Sequence, residues 1–263
     1  MKEKIGIVGI GYVGGAVFAW FKKKPVYLKL YDKYKKLGSL KEIDKETDIV
    51  FISVPTPYYK GKGYNDSALH EVITSLRAPK IIVVKSTVLP GSTEKFQKKY
   101  PRHTFLFNPE FLVAKTAVRD FLRPHRQIVG YTKKSKKVAK RILSLLPTAP
   151  VTRIMPATEA EIVKYFGNAF LATKVVFANQ IYDICDRLKV DYEIVKEATA
   201  NDSRIGESHL KIFHDGYRGY SGGCFLKDVK ALLDFSRYIG APSELLHEVD
   251  VLNERLLRGN KSR

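Results

Sequence analysis

The sequence predicts an α/β protein in which an N-terminal, Rossmann-type, doubly wound sheet is followed by a long helix and a small all-α domain. Three observations predict it. Apolar, strand-like runs alternate with amphipathic ones in the first half of the chain, a glycine-rich turn follows the first run, and beyond Pro147 the pattern becomes helical. We expect residues 1–155 to form the sheet domain and residues 156–263 to contain the connecting helix and the helical domain.

Six runs in the first half have the apolar character of strands: residues 5–8, 26–31, 48–54, 80–85, 104–107 and 127–131. Helical patterns separate several of them. Strands that alternate with helices form a mostly parallel sheet with helices on both faces, and this is the sheet we predict.

The first strand runs into Gly9-Ile10-Gly11-Tyr12-Val13-Gly14, which opens the first helix. Gly9 permits a tight turn, Gly11 lets the backbone approach a pyrophosphate, and Gly14 lets the helix pack on the strand. Asp32 ends the second strand, 18 residues beyond Gly14. A carboxylate there accepts the hydroxyls of an adenosine ribose and repels a 2′-phosphate, so we predict NAD in preference to NADP. Lys33 beside it weakens that preference.

One uninterrupted helix is predicted from residue 158 to residue 188. A helical period is kept by a mostly apolar set of residues, which are Ile162, Phe166, Phe170, Thr173, Phe177, Ile181, Ile184 and Leu188. We expect this helix to join the two domains and to expose an apolar face, including Phe170, Val176, Phe177 and Ile181, to a second subunit. Cys185, on its apolar stripe, is expected in the core.

A second cysteine lies in the loop Gly219-Tyr220-Ser221-Gly222-Gly223-Cys224, before a predicted helix over residues 225–233. A buried, unreactive thiol is the commoner fate of such a residue. Here a helix N-terminus and Lys227 favour the thiolate. A nicotinamide cofactor removes hydride from an alcohol without a thiol, whereas oxidation past the aldehyde requires one to trap it.

Composition narrows the remaining possibilities. The 263 residues carry a formal charge of +19 and two cysteines, which provide no disulfide framework. No apolar run approaches a membrane span and no signal peptide precedes the first strand, so we expect a cytoplasmic protein without membrane contact and without a metal site. The lysines are scattered and lack interleaved aromatic residues, which makes nucleic acid an unlikely partner.

The ordered motifs of the chain resemble those of the UDP-glucose/GDP-mannose dehydrogenases, which oxidise a nucleotide sugar at C6 to the uronic acid with two NAD. The motifs are the Gly9–Gly14 turn, residues 54–57, 85–93, 108–112 and 161–168, the stretch 204–206, and the cysteine loop with Lys227-Asp228. The resemblance extends along the whole chain.

The resemblance implies a role for each matching residue. Cys224 would be the nucleophile that forms a thiohemiacetal and then a thioester. Lys164 and Asn168 would stabilise negative charge on the C6 oxygen. Thr87 and Asp228 would position a water or take the first hydroxyl proton, and Glu110 would assist thioester hydrolysis. It implies substrate contacts from Phe111, Leu112, Lys164, Asn168, Arg204, Tyr220 and Gly222, with Arg204 reaching the partner's site. It implies cofactor contacts from Gly9, Gly11, Tyr12, Val13, Gly14, Asp32, Lys33, Thr56, Thr87 and Lys227.

Three departures from the family pattern are visible. Ala114 stands where many members have a second glutamate, and Leu226 and Ser221 replace a proline and a glycine of the cysteine loop. The chain ends at Arg263, so we expect it to lack the second Rossmann-like domain that closes over the nucleotide. A homodimer through the long helix, or a separate partner, would complete the site.

Two other functions stay open at this point. The chain could be a vestigial or regulatory protein that binds nucleotide sugar and NAD, or a β-hydroxyacid dehydrogenase, which shares the glycine turn and a lysine–asparagine helix pair. Cys224 argues against the latter, because those enzymes stop after one hydride. UDP-glucose is the expected substrate as the commonest of the family.

Overall fold

The computed structural model describes residues 2–214 and 216–259. The strands are β1 (Lys4–Val8), β2 (Tyr27–Tyr31), β3 (Ile49–Ile52), β4 (Tyr58–Tyr59), β5 (Gly63–Tyr64), β6 (Ile81–Val84), β7 (Thr104–Phe107), β8 (Arg126–Tyr131) and β9 (Val151–Pro156). The helices are α1 (Tyr12–Phe21), α2 (Leu40–Glu46), α3 (Ser67–Ser75), α4 (Ser92–Lys99), α5 (Ala117–Leu122), α6 (Lys136–Leu145), α7 (Ala157–Leu188), α8 (Tyr192–Ala200), α9 (Phe225–Tyr238) and α10 (Glu244–Gly259), and a 3₁₀ turn precedes α5 at Ala114–Thr116.

Seven strands form one sheet in the order β2-β1-β3-β6-β7-β8-β9. Every neighbouring pair is parallel except β7 and β8. The chain passes from β1 to β2 on one side and returns to β3 on the other side of β1. This reversal leaves a crevice outside the carboxyl ends of β1 and β3, where doubly wound sheets bind ligands.

Two apolar cores cover the two faces of this sheet. One face packs against α1, α5 and α6, and the other against α2, α3, α4 and the start of α7. The central strands β1 and β3 are buried at every position except the exposed Lys4 at the start of β1, as strands covered on both faces must be. The sheet is therefore doubly wound, as the sequence predicts.

The chain divides into two compact units. Unit 1 contains residues 1–57 and 64–164, and unit 2 contains residues 58–63 and 165–263. Unit 2 is helical apart from its share of the β4–β5 hairpin. One of its cores joins α7, α9 and α10 around Val176, Leu233 and Val249, and the other surrounds Cys185.

The long helix, the helix that begins at the cysteine loop and the buried position of Cys185 are confirmed. The expected exposed face of α7 is partly wrong. Val176 is buried in the core of unit 2 and Ile181 is half-buried against the Cys185 core, because α9, α10 and the 210–213 segment pack there. The exposed large apolar residues on α7 are Ile162, Phe166, Phe170, Phe177, Ile184 and Leu188.

Within the described residues, no helix combines the length and the apolar character that crossing a lipid bilayer requires.

Candidate active site

The glycine turn after β1 has the geometry of an anion-binding turn. Gly9 has φ +83°, and a Cβ there would lie 2.6 Å from the Ser53 carbonyl oxygen. A Cβ on Gly14 would lie 1.7 Å from the Gly9 carbonyl oxygen, so Gly14 lets α1 lie against the turn itself. Gly11 faces open space and, as the N-cap of α1, leaves the first N–H groups of the helix without a side-chain cap. These N–H groups and the helix dipole favour a phosphate.

A cavity of about 640 Å³ lies over this turn, within unit 1. Gly11 and Tyr12 form one wall and the segment 114–119 forms the other. Three cations line it, Lys35, Lys115 and Arg119, and its lining contains no carboxylate. The charge and the open backbone fit the pyrophosphate of a dinucleotide.

Asp32 lies at the carboxyl end of β2 and is 8% exposed. Its carboxylate accepts hydrogen bonds from the N–H groups of Ile10 at 2.7 Å, Tyr34 at 3.0 Å and Lys35 at 2.9 Å. Burial by itself raises the pKa of Asp32, but these backbone donors hold that pKa below its ordinary value. Asp32 therefore organises the glycine turn. Lys33 pairs with Glu71 at 2.9 Å.

The loops after β3 and β6 are tied together beside the crevice. The Thr56 hydroxyl donates to the Thr87 carbonyl oxygen at 2.8 Å, and the Ser86 hydroxyl donates to the Val54 carbonyl oxygen at 2.7 Å. Thr56 and Thr87 are both buried. The two sequence motifs that contain them form one structural element at the carboxyl edge of the sheet.

The loop after β7 carries a buried ion pair. The Glu110 carboxylate lies 2.7 Å from the Lys164 ammonium, and it also accepts the Leu112 N–H at 2.8 Å. Burial alone raises the pKa of Glu110, whereas Lys164, the Leu112 N–H and the Lys85 amine outweigh it and hold the pKa below its ordinary value. Phe111 stacks under the Arg126 guanidinium, 3.9 Å from its ring centre.

A second buried lysine lies next to this pair. Lys85 follows β6 and is 2% exposed. Its amine donates to the side-chain oxygen of Asn108 at 2.6 Å and to the Asn108 carbonyl oxygen at 3.3 Å. Burial lowers the pKa of Lys85 to about 7, with Glu110 opposing and Lys164 adding to the shift.

Unit 2 places the cysteine at the start of a helix. Cys224 is the N-cap of α9 and is exposed. One turn later the Asp228 N–H donates to the Cys224 carbonyl oxygen, and the Asp228 carboxylate is 2% exposed. Asn168 donates to this carboxylate at 2.6 Å, and the Lys227 ammonium contacts it as well. A thiol, a buried carboxylate and an amide are thus grouped within one unit.

The other predicted substrate residues lie in different surroundings of unit 2. Arg204 has a side chain 87% exposed and pairs with Asp202. Tyr220 is buried in the core of unit 2, and its backbone exchanges two hydrogen bonds with Asn253 of α10. Gly222 has φ +86° and faces open space. The roles assigned to these residues stay predictions.

Glu161 is a residue of this region to which the sequence pattern assigned no role. Its fully buried carboxylate accepts from the Gly91 N–H at 2.6 Å, the Thr93 N–H at 2.8 Å and the Thr93 hydroxyl at 2.5 Å. It thereby caps the N-terminus of α4 from another helix, since the local N-cap, Gly91, has no side chain. Its position one turn before Lys164 was the available signal.

Two family models match successive parts of the chain. Residues 29–146 match the NAD binding domain of the UDP-glucose/GDP-mannose dehydrogenase family, and residues 158–255 match its central domain. The UDP-glucose 6-dehydrogenase TuaD of Bacillus subtilis is 33% identical over 96% of this chain and 63% of its own length. The UDP-glucose 6-dehydrogenase of Pseudomonas aeruginosa is 34% identical over 83% of this chain and 51% of its own length.

Solved structures show the same fold. A UDP-glucose dehydrogenase from Pyrobaculum islandicum superposes with a TM-score of 0.85 at 27% identity, over 97% of this chain and 68% of that one. A 3-hydroxyisobutyrate dehydrogenase from Mycobacterium tuberculosis, at 15% identity and a TM-score of 0.76, shares the fold over 94% of its length.

The chain spans between about half and two thirds of the length of the curated relatives it matches. Within that span the two family domains follow each other in order and leave few residues unmatched between them. The chain therefore belongs to the UDP-glucose/GDP-mannose dehydrogenase family.

Proposed function

We propose that this chain oxidises a nucleotide sugar, UDP-glucose first among the candidates, at C6 to the uronic acid in two successive oxidations through Cys224. The observation that carries the proposal is the position of Cys224. It is an exposed thiol at the N-terminus of α9, one turn before a buried carboxylate.

The cofactor site is assigned to the turn after β1. Its open backbone at Gly11 and the cationic lining of Lys35, Lys115 and Arg119 suit a dinucleotide pyrophosphate. Gly9, Tyr12, Val13 and Gly14 belong to the same turn, and Asp32, Lys33, Thr56, Thr87 and Lys227 are the remaining proposed contacts. When bound to these residues, NAD would supply the hydride acceptor for each of the two oxidations.

Cys224 acts on the aldehyde that the first oxidation leaves. The thiolate sulfur adds to the C6 carbonyl carbon and forms a thiohemiacetal, whose oxygen carries the negative charge. Loss of hydride from that carbon gives a thioester. Water then adds to the thioester carbonyl, the carbon–sulfur bond breaks, and the thiolate and the carboxylic acid are released.

Charge on the C6 oxygen requires preorganised donors. The Lys164 ammonium and the Asn168 amide are donors of this kind, and each is already oriented by a carboxylate, Glu110 for Lys164 and Asp228 for Asn168. Removing water from such donors strengthens their interaction with a developing oxyanion.

Three side chains with oxygen groups are proposed to handle protons. Glu110, held ionised by Lys164, is the base that draws a proton from the hydrolytic water. Thr87 and Asp228 position that water or take the first hydroxyl proton, and both are buried. Phe111, Leu112, Tyr220, Gly222 and the partner's copy of Arg204 are the proposed contacts to the sugar and the diphosphate.

The test is the ratio of NADH formed to sugar consumed. We expect two NADH and one uronate per UDP-glucose, and we expect Cys224→Ala to stop turnover while leaving the fold intact, because the thiol is exposed. The matched control is Cys185→Ala, which changes the buried cysteine and should keep the ratio of two. One NADH per sugar with accumulating aldehyde would contradict the proposal.

A symmetric dimer along α7 is proposed to complete the site. Phe166 and Phe170 stack on each other with ring centres 6.4 Å apart, and they are 70% and 60% exposed. With Phe177, at 61% exposed, they form an apolar stripe that a second copy of the same helix would cover. The alternative function, binding of nucleotide sugar and NAD without efficient turnover, predicts bound ligand but no NADH.

A further inference from the structure

The strand β6 has a buried lysine at each end. Lys80 precedes it and is 6% exposed, and Lys85 follows it and is 2% exposed. Buried lysines are rare because the ammonium loses its hydration. The Lys80 ammonium donates to the carbonyl oxygens of Asp44 and Thr47 at the amino end of the strand. Lys85 lies at the carboxyl end, where the proposed catalytic loops begin.

The hydrogen bonds of Lys85 connect two of these loops. Lys85 is the first residue after β6 and Asn108 is the first after β7, and the two strands are neighbours. Both hydrogen bonds of the amine end on Asn108. Thr87 lies two residues beyond Lys85, and Glu110 lies two residues beyond Asn108. The pair therefore fixes the starting points of the Thr87 loop and the Glu110 loop relative to each other.

The amide of Asn108 is itself held in one orientation. Its nitrogen donates to the Ile128 carbonyl oxygen at 2.7 Å and to the Gln127 side-chain oxygen at 3.3 Å, and the residue is fully buried. Its oxygen must then face Lys85. Among the described residues, this oxygen and the Asn108 carbonyl oxygen are the acceptors for the Lys85 amine.

Two charged groups act on the Lys85 amine, and they belong to the elements packed against it. Glu110 in the loop after β7 favours the ammonium form, and Lys164 on α7 opposes it. The Phe121 ring of α5 lies on a further side, 5.2 Å from the nitrogen. Since Glu110 is already paired with Lys164, a proton on Lys85 leaves this buried cluster with one excess positive charge.

We infer that Lys85 is a positioning residue for Glu110: it fixes the Glu110 loop through Asn108, and the gain or loss of its proton changes the basicity of the Glu110 carboxylate. When Lys85 is protonated, its charge stabilises the carboxylate and makes it a weaker base. When Lys85 is neutral, Glu110 is the stronger base and thioester hydrolysis is faster. The kinetic part of this inference rests on the proposed function, whereas the coupling between Lys85 and Glu110 does not.

The coupling is tested by NMR on protein labelled with ¹³C at the lysine Cε, without substrate. We expect one lysine resonance to titrate near neutral pH, to be absent from Lys85→Met and to persist in Lys80→Met. Its midpoint should fall by about one pH unit in Glu110→Gln, because the favourable negative charge is lost. An unshifted midpoint, or titration of this resonance only above pH 9, would overturn the inference.

Asn108→Asp provides a second variant in case Lys85→Met does not fold. A carboxylate at this position faces the amine directly and should raise the midpoint of the same resonance. This change identifies the Lys85 signal in a protein that retains the lysine. A midpoint that stays unchanged in this variant would contradict the proposed contact.

The kinetic arm compares the pH dependence of kcat with UDP-glucose and NAD. The unmodified protein should gain about threefold or more in kcat as pH rises from 6 to 8, and Lys85→Met should lose this dependence with little change in KM. Lys80→Met should keep the pH dependence of kcat and lower only the stability of the protein. If Lys85 were merely structural, Lys85→Met would behave in the same way. If the protein has no turnover, the proposed function fails while the NMR result still decides the coupling.

Discussion

Replacing Asp32 by alanine should weaken the binding of both NAD and NADP. It should also reduce the difference between the two affinities. A specificity residue that only repels a 2′-phosphate would be expected to change NADP binding alone. Here the carboxylate also accepts the N–H of Ile10, which belongs to the glycine turn, and the N–H groups of Tyr34 and Lys35. Its removal therefore disturbs the turn on which the pyrophosphate would lie.

The magnitude follows from the three hydrogen bonds. The N–H groups of Tyr34 and Lys35 belong to exposed residues and can turn to water, so their loss costs little. Ile10 is 8% exposed, and an unsatisfied buried N–H costs about 1–3 kcal/mol. We expect Asp32→Ala to lower the free energy of unfolding by about 2 kcal/mol and NAD affinity by about tenfold or more.

Isothermal titration with each cofactor, together with urea unfolding, measures both effects. Lys41→Ala on α2 is the control, because Lys41 is an exposed lysine outside the proposed cofactor contacts. The folded-state pKa of Asp32 is lowered, so its stabilising contribution is present above its ordinary pKa and is lost as pH falls through the folded value. The unfolding curves of Asp32→Ala and the unmodified protein should therefore converge in acid. Unchanged NAD affinity in Asp32→Ala would refute the reasoning.

Three further outcomes are expected. Burial raises the pKa of Glu161 from 4.5 to about 7, so the free energy of unfolding should fall as pH rises across that interval. Urea unfolding of Glu161→Gln should show a smaller fall with pH than the unmodified protein. An equal fall in both proteins would contradict the burial argument. Phe170→Ser with Phe177→Ser should shift sedimentation toward the monomer without unfolding it, since both rings are exposed, and an unchanged dimer would exclude this face of α7. Arg204→Ala should leave the free energy of unfolding nearly unchanged, because its pair with Asp202 is at the surface, yet it should lower turnover; full activity would refute the shared site.

The fold was predictable because its signals are periodic and local. β7 has the predicted bounds, β1 begins one residue before the run predicted at residues 5–8, and α7 and α9 begin within one residue of the predicted position. Apolar periodicity gives the length of an element, but it does not say which side of a long helix is covered. On α7, the stripe of period-matched residues that includes Phe166 and Phe177 is the exposed side, while Val176, one position earlier than Phe177, enters the core.

The residues that support the candidate site were harder to predict than those expected to act in it. Cys224, Glu110 and Lys164 belong to residue types and motifs that point to chemistry, whereas Lys85 and Glu161 are the first residues of the motifs 85–93 and 161–168, which do not indicate what these two side chains contact. Their surroundings come from partners 23 and 68 to 70 positions away in the chain, which no short pattern records. A charged residue inside an apolar stretch nevertheless has a general meaning. Burying its charge is costly, so the residue must be neutralised by partners or titrate at an unusual pH. In either case it lies close to other charged groups and affects their ionisation. Lys85, which directly follows the four buried or half-buried residues of β6, is the position in this chain where that argument leads to the proposed catalytic base.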